Sequence, residues 1–195
     1  PEYTSDAARL LAYFAALPEG DENRVLSAQH CGRGAQVPEF FQSNIAELHE
    51  KTGQWVAMMG ADYGPGRDME GEPDPAITNA AIIDYWKAGG LVTLYWHARN
   101  PWTRGTAWDR AVDGDFAALY TPGTTINEVW QADLERIADA LEELRDAGVV
   151  VWWRPFHEMN GGWFWWGKQS REDFQALWDY MFHYFAVERK LNNLL

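Results

Sequence analysis

The chain alternates short apolar runs with longer segments in which apolar side chains recur every three or four residues. The short runs predict buried strands of a parallel sheet, and the longer segments predict amphipathic helices. The predicted strands span residues 24–30, 54–59, 91–96 and 149–155. The predicted helices span residues 7–17, 38–51, 78–88 and 126–147, and a last helix begins at a capping box, Ser170 to Asp173.

This order of elements predicts an α/β fold, because alternating strands and helices form a parallel sheet with right-handed crossovers. A flavodoxin-like open sheet is one such fold. A (β/α)8 TIM barrel is the other, although a whole barrel needs about 250 residues. Residues 191–195 are typical of the start of a fifth strand. We therefore interpret residues 1–195 as a single catalytic domain, truncated on its C-terminal side, that supplies the first four to five β/α units of a barrel.

Composition narrows the possible partners. A net charge of −13 argues against nucleic acid, whose phosphates require a basic surface, and against anionic membranes. The longest apolar stretch, residues 10–17, is too short to span a bilayer. A neutral polymer is compatible with this charge. The single cysteine, Cys31, excludes an intrachain disulfide, and a buried structural role is favoured over a nucleophilic one.

Polar side chains follow each predicted strand: Gln29 and His30, Asp62 and Tyr63, Trp96 and His97, and finally Arg154, His157 and Glu158. In a parallel barrel these strand ends meet on one face, where such folds place their catalytic groups. Taken singly, His30 and Asp62 are better explained as structural polar groups. Their occurrence at four consecutive strand ends favours a functional site.

The segment that follows the fourth strand carries the most specific chemistry. Glu158 is succeeded by a cluster of aromatic residues that includes Trp163. Indole faces stack on the CH faces of a sugar ring, and a neighbouring carboxyl group can protonate the leaving oxygen. The alternative role for Glu158 is a structural ion pair with Arg154. A zinc site built from the histidines and Cys31 is disfavoured, because the local spacing of known zinc sites is absent.

The run WRPFHEMNGGWFWWG at residues 153–167 strongly resembles the signature of glycoside hydrolase family 26. YWHARNP at 95–101 and GADYG at 60–64 are similar to the ends of that family's third and second strands. Its members are mainly endo-β-1,4-mannanases with a (β/α)8 barrel and a retaining mechanism. The resemblance implies cleavage of β-1,4-mannosidic bonds in mannan, galactomannan or glucomannan. An endo-β-glucanase or β-xylanase of the same family, or a non-catalytic carbohydrate-binding fragment, remain the alternatives.

The resemblance also implies residue roles. Glu158 would be the catalytic acid/base, and substrate-binding roles would fall to His97, Trp102, Arg154, His157 and Trp163, with Trp108 as a further subsite wall. A retaining enzyme needs a second carboxylate about 5–5.5 Å away. The family's nucleophile is a Glu after the seventh strand, which lies outside this chain, and Asp62 resembles no family nucleophile.

We therefore expect the 195-residue chain alone to be inactive. The expected partner is a mannan-type polysaccharide, with no nucleic acid, membrane, metal or cofactor. The oligomeric state stays open. The protein is expected to be secreted or extracellular, although the chain contains no signal peptide.

Overall fold

The computed structural model describes residues 2–20 and 25–195. Its four strands form one parallel sheet in the order β1-β2-β3-β4, with bounds Ala28–Arg33, Met58–Asp62, Leu91–Trp96 and Trp152–Pro155. This sequential order is that of a barrel. In the flavodoxin-like order the first strand would lie between the second and the third. The structure therefore favours the barrel over the open sheet.

The C-terminal residues add a fifth segment to this sheet. Leu194 forms a parallel bridge with Val151. The amide of Val151 donates to the carbonyl of Asn193 at 2.9 Å, and the amide of Leu195 donates back to the carbonyl of Val151 at 2.9 Å. The predicted start of a fifth strand in this segment is thus confirmed, with its pairing confined to residues 193–195.

Six α-helices surround the sheet in the described residues: Ser5–Ala16 (α1), Val37–Phe41 (α2), Glu47–Thr52 (α3), Pro75–Lys87 (α4), Thr125–Asp146 (α5) and Arg171–Phe182 (α6). A π-helical turn, Gln42–Ala46, joins α2 to α3, so the helix predicted over 38–51 is continuous but irregular. The capping box of α6 is confirmed. Ser170 accepts from the amide of Asp173 at 3.0 Å and donates to its carboxylate at 2.7 Å.

Strands β1 and β2 begin later than predicted. The prediction for β1 started at residue 24, which lies outside the described residues, and Val25 is 91% exposed. The prediction for β2 stopped at Met59, whereas the strand continues through Gly60 to Asp62. Gly60 is closely packed there, since a Cβ on it would lie 3.3 Å from the side chains of Thr93 and Tyr95. Close packing between strands therefore explains a strand end that apolar periodicity misses.

The core lies between the sheet and α5. The predicted apolar stripe of that helix is confirmed, since five of its side chains are fully buried: Trp130, Leu134, Ile137, Leu141 and Leu144. Trp130 stacks on Trp96 of β3 with ring centroids 5.2 Å apart. Cys31 is also fully buried and unbonded, and burial raises the pKa of its thiol to about 11. That pKa favours a structural role.

In the part of the chain that the structure describes, no helix has both the length and the apolar character needed to cross a membrane.

Replacing Ile137 with alanine removes apolar side-chain volume from this core and should lower the free energy of unfolding by about 2–5 kcal/mol. Glu135→Ala, on the exposed face of the same helix, serves as the control and should change it by less than about 0.5 kcal/mol. Urea unfolding of both variants measures the difference. Equal losses would mean that α5 does not pack on the sheet through this stripe.

Candidate active site

A cleft opens where the carboxyl ends of the strands meet. It has a volume of about 540 Å3 and is lined by His30, Arg33, Asp62, Tyr95, His97, Trp108, Arg154, His157, Glu158, Trp163 and Phe164. A larger cavity of about 950 Å3 lies between α2 and α4, but its lining is mostly apolar and includes one carboxylate, Asp84. Ionisable groups therefore converge in the cleft, which is the better candidate site.

Asp62, at the end of β2, is the centre of this arrangement. Its carboxylate is fully buried and accepts from the amides of Gly64 at 2.8 Å and His97 at 3.2 Å. It also bonds Nδ1 of His97 and lies 3.4 Å from the guanidinium of Arg33. Burial alone would raise the pKa of Asp62, but the bond and charge of His97, with Arg33 and the Gly64 amide, hold it below the usual value. Asp62 is thus ionised, and its carboxylate oxygens are occupied by these contacts.

The Asp62 carboxylate fixes the ring of His97. It can only accept, so Nδ1 of His97 carries a proton. Nε2 of His157 lies 3.2 Å from Nε2 of His97, so one of these two nitrogens donates to the other. Nδ1 of His157 is buried and has no hydrogen-bond partner among the described residues.

His157 is held in its neutral form. Burial lowers its pKa to about 4, and the nearby charge of His97 adds to this, while Asp62 and Glu158 oppose it. The ring of His97 stacks on Trp108, with centroids 4.8 Å apart and planes 11° apart. The two imidazoles therefore form a fixed hydrogen-bonding wall of the cleft, here called the imidazole wall.

Glu158 follows β4 at a sharp bend. Phe156 and Glu158 have φ angles of 50° and 57°, in the left-handed region that side chains larger than glycine rarely adopt. The bend turns the carboxylate to the edge of the cleft, where Oε2 accepts from the indole N–H of Trp163 at 2.7 Å. The side chain of Glu158 is exposed. An exposed carboxylate so oriented can exchange a proton with a bound ligand.

Arg154 does not pair with Glu158. Its guanidinium donates to the hydroxyl of Tyr95 at 2.8 Å and lies 4.6 Å from the centre of that ring. The alternative of a structural ion pair between Arg154 and Glu158 is therefore not supported by the described contacts.

The structure brings together most of the residues predicted from the sequence: His97, Trp108, Arg154, His157, Glu158 and Trp163 all line the cleft. Trp102 does not. It packs against Phe116 and Trp165, with ring centroids 5.8 and 6.1 Å away. Its amide is held by the side chain of Asn100 at 2.8 Å, which turns this part of the loop toward the aromatic core.

Other cleft residues escaped the sequence analysis. Arg33 lies beyond the predicted end of β1, and Tyr95 is hidden inside the apolar run of β3. Gly64 closes the GADYG run noted in the sequence, and in the structure a Cβ there would lie 2.1 Å from the carbonyl oxygen of His97. Only glycine permits this approach, which brings the end of β3 against Asp62.

Most indoles of the aromatic cluster are structural. Trp165 donates to the carbonyl of Ala98 at 2.9 Å, and Trp166 donates to that of His157 at 3.0 Å. Both are buried, whereas Trp163 is 49% exposed. Trp163 is therefore the indole of this cluster that can stack on a ligand. Within residues 2–20 and 25–195, no group of three or more His, Cys, Asp or Glu side chains is arranged to hold a metal ion.

Comparisons with known proteins agree with this geometry. A sequence model of glycosyl hydrolase family 26 matches residues 1–195. A mannan endo-1,4-beta-mannosidase of Bacillus subtilis is 33% identical over 198 residues, which cover 95% of this chain and 54% of that protein. A mannan endo-1,4-beta-mannosidase A and B of Caldalkalibacillus mannanilyticus is 31% identical, over 100% of this chain and 40% of that protein. The chain spans about half the length of these curated relatives.

Solved structures extend the likeness to the fold. The mannanase man26 of Bacillus subtilis superposes with a TM-score of 0.88 at 30% identity, over 100% of this chain and 62% of that one. A beta-mannanase from a symbiotic protist of the termite Reticulitermes speratus, complexed with gluco-manno-oligosaccharide, gives 0.83 at 30% identity, also over 100% and 62%. The prediction that this chain forms the N-terminal part of a (β/α)8 barrel is confirmed.

Gly64→Ala should lower the free energy of unfolding by about 1–3 kcal/mol, because the new methyl group overlaps the backbone of His97. Gly71→Ala is the matched control, since a Cβ at Gly71 meets nothing within 4 Å. Thermal unfolding compares the two variants. Equal stability would show that the ends of β2 and β3 are not in close contact.

Stability should also depend on pH through His157. Its pKa falls from 6.5 in the unfolded chain to about 4 in the folded one, so the unfolded state binds more protons between these values. The free energy of unfolding therefore decreases as the pH falls from 6.5 towards 4, by on the order of 2 kcal/mol for this group.

His157→Asn should reduce that decrease, whereas His183→Asn, at a side chain that is 63% exposed, should leave it unchanged. Urea unfolding at a series of pH values measures it. An unaltered pH dependence in His157→Asn would contradict the assignment of a neutral, buried imidazole.

Proposed function

The chain belongs to glycosyl hydrolase family 26, and we propose that its protein is an endo-acting, retaining glycosidase that cleaves β-1,4-mannosidic bonds in mannan, galactomannan or glucomannan. The observation that carries this proposal is the exposed Glu158 carboxylate at the cleft edge, held by Trp163 beside the paired imidazoles of His97 and His157. The names of the curated relatives support the same substrate class.

Glu158 is the proposed acid/base. In the first step its proton passes to the glycosidic oxygen while a second carboxylate attacks the anomeric carbon, which gives a covalent glycosyl-enzyme. In the second step the Glu158 carboxylate takes a proton from water, and the water oxygen displaces the enzyme carboxylate. Trp163 stacks on the sugar next to the cleaved bond, and its N–H aims the Glu158 carboxylate.

The imidazole wall binds the sugar at this point. Both rings line the cleft, and His97 is fixed by Asp62. The two rings orient a hydroxyl-bearing substrate. Arg154, which lies over Tyr95, orients the attacking carboxylate.

The nucleophile is proposed to be a Glu outside residues 1–195, which are then the first part of the catalytic domain. Among the described residues, Asp62 is the other carboxylate that lines the cleft. It is fully buried and engaged by His97, Arg33 and Gly64, so it cannot attack a sugar. The greater length of the curated relatives supports this proposal.

We place the activity outside the cell, since a polysaccharide cannot cross the membrane to reach an internal enzyme. Assay of culture medium and cell lysate for mannan hydrolysis tests the location. Activity confined to the lysate would contradict it.

Glu158→Gln in the full-length protein should lower turnover of galactomannan by roughly 10²–10⁴-fold, the usual contribution of a general acid or base. A dinitrophenyl β-mannobioside needs no proton on its leaving group. The variant should therefore still form the glycosyl-enzyme from this substrate and release a burst of dinitrophenolate. Glu50→Gln, at an exposed carboxylate of α3, is the control and should behave as wild type.

The same assays separate the alternatives. Wild-type turnover by Glu158→Gln would remove Glu158 from the mechanism. Hydrolysis by residues 1–195 alone would show that the nucleophile lies within them. Binding of mannan without hydrolysis by the full-length protein would favour a non-catalytic carbohydrate-binding protein. Preferential hydrolysis of β-glucan or β-xylan would show that this polymer, and not mannan, is the substrate.

A further inference from the structure

A second cavity, here called the side chamber, adjoins the cleft. It has a volume of about 660 Å3 and shares Trp108 and Trp163 with the cleft as common walls. Its other lining residues are Arg67, Arg110, Asn160, Gly161, Gly162 and Lys168. The volume is within the range of roughly 300–1,000 Å3 that is usual for small-molecule sites. The side chamber thus carries three cations and no carboxylate in its lining.

The sign of this charge is opposite to that of the whole chain. Among the described residues, five Lys and Arg line the cleft or the side chamber, but only two Asp and Glu do so, although acids outnumber bases in the chain by 29 to 16. Those two acids are Asp62, which is bonded to His97 and near Arg33, and Glu158, which is bonded to Trp163. A concave surface with one sign of charge focuses the field and attracts ligands of the opposite sign.

Each of the three cations contacts a wall of the side chamber. Arg110 donates to the carbonyl of Gly162 at 2.8 Å. The stem of Lys168 passes over the same glycine, since a Cβ on Gly162 would lie 3.2 Å from Cδ and Cε and 3.5 Å from Nζ. The guanidinium of Arg67 lies 5.9 Å from the centre of the Trp108 ring. Backbone and aromatic contacts therefore position these charges.

No carboxylate of the described residues forms an ion pair with these cations. Other exposed cations, such as Lys87, are also unpaired among the described residues, so the absence of an ion pair is not by itself unusual. What distinguishes Arg67, Arg110 and Lys168 is that all three line one cavity beside the cleft. Their side chains are exposed and screened by water, but a bound anion would still be attracted by three cations, whereas a neutral sugar would gain hydrogen bonds alone.

We propose that the side chamber binds an anionic sugar unit of the substrate chain, a uronate whose C6 carboxylate meets Arg67, Arg110 and Lys168. This inference rests on the proposed function, because the side chamber adjoins the cleft at Trp108 and Trp163, where a saccharide bound in the cleft would extend. Guanidinium groups suit a carboxylate, which they bind through two parallel N–H donors. The enzyme thereby accepts mannan-like chains that carry acidic units.

Calorimetric titration with two matched oligosaccharides tests the proposal. β-1,4-linked mannotetraose and β-1,4-linked mannuronotetraose differ only in a carboxylate for each hydroxymethyl group. The full-length protein with Glu158→Gln, which prevents turnover, should bind the mannuronate about tenfold more tightly at low ionic strength. High salt should erase that preference.

Charge removal in the side chamber should abolish the preference. The triple variant Arg67→Gln, Arg110→Gln and Lys168→Gln should bind both oligosaccharides with the affinity of wild type for mannotetraose. The control Lys87→Gln, Arg171→Gln and Lys190→Gln changes the net charge equally at exposed positions away from both cavities. It should keep the preference.

Each outcome has a distinct meaning. If mannotetraose binds and mannuronotetraose binds no better, the inference about the side chamber is wrong while the proposed function stands. The same conclusion follows if the control variant loses the preference too, because the effect is then one of net charge. If neither oligosaccharide binds, the proposed function itself fails.

Discussion

The buried carboxylate of Asp62 is the interaction on which the arrangement of the strand ends depends. It lies at the end of β2, receives Arg33 from the end of β1, and holds the backbone and ring of His97 at the end of β3. Through His97 it reaches His157, beyond the end of β4. A buried ion is costly unless it is paired and hydrogen-bonded. Here groups at the strand ends offset that cost. Arg33 and His97 contact the Asp62 carboxylate directly, and His157 contacts it through His97.

The tryptophans fall into two groups: buried ones that support loops, and others that line the two cavities. Trp96, Trp130, Trp165 and Trp166 are essentially inaccessible to solvent, and two of these indoles donate to backbone carbonyls next to cleft residues. Trp108 and Trp163 stand at the boundary between the cleft and the side chamber. The abundance of tryptophan therefore reflects the support of the loops after β3 and β4 as much as contact with a sugar.

Sequence reasoning succeeded where the signal was local. Helix α5, the capping box at Ser170 and the alternation of strands and helices all follow from periodicity and short-range chemistry, and the convergence of His97 with Glu158 follows from parallel strand ends. It failed where partners are distant. Nothing near Arg33 in the chain indicates that it meets Asp62, and the inward packing of Trp102 is set by Asn100 and Trp165. The strand predicted from periodicity stopped at Met59 because Gly60 interrupts the apolar run, and the close packing of Gly60 against Thr93 and Tyr95 cannot be seen in the sequence.

The left-handed backbone at Phe156 and Glu158 has a consequence for any attempt to engineer this chain. Such a conformation costs about 1–3 kcal/mol per residue, and glycine would relieve it. Selection for heat resistance would accordingly reward glycine at position 158, the one place where losing the side chain removes the proposed proton donor. Stability and the proposed catalysis therefore favour different residues at position 158, so a screen for thermostable variants must also measure activity.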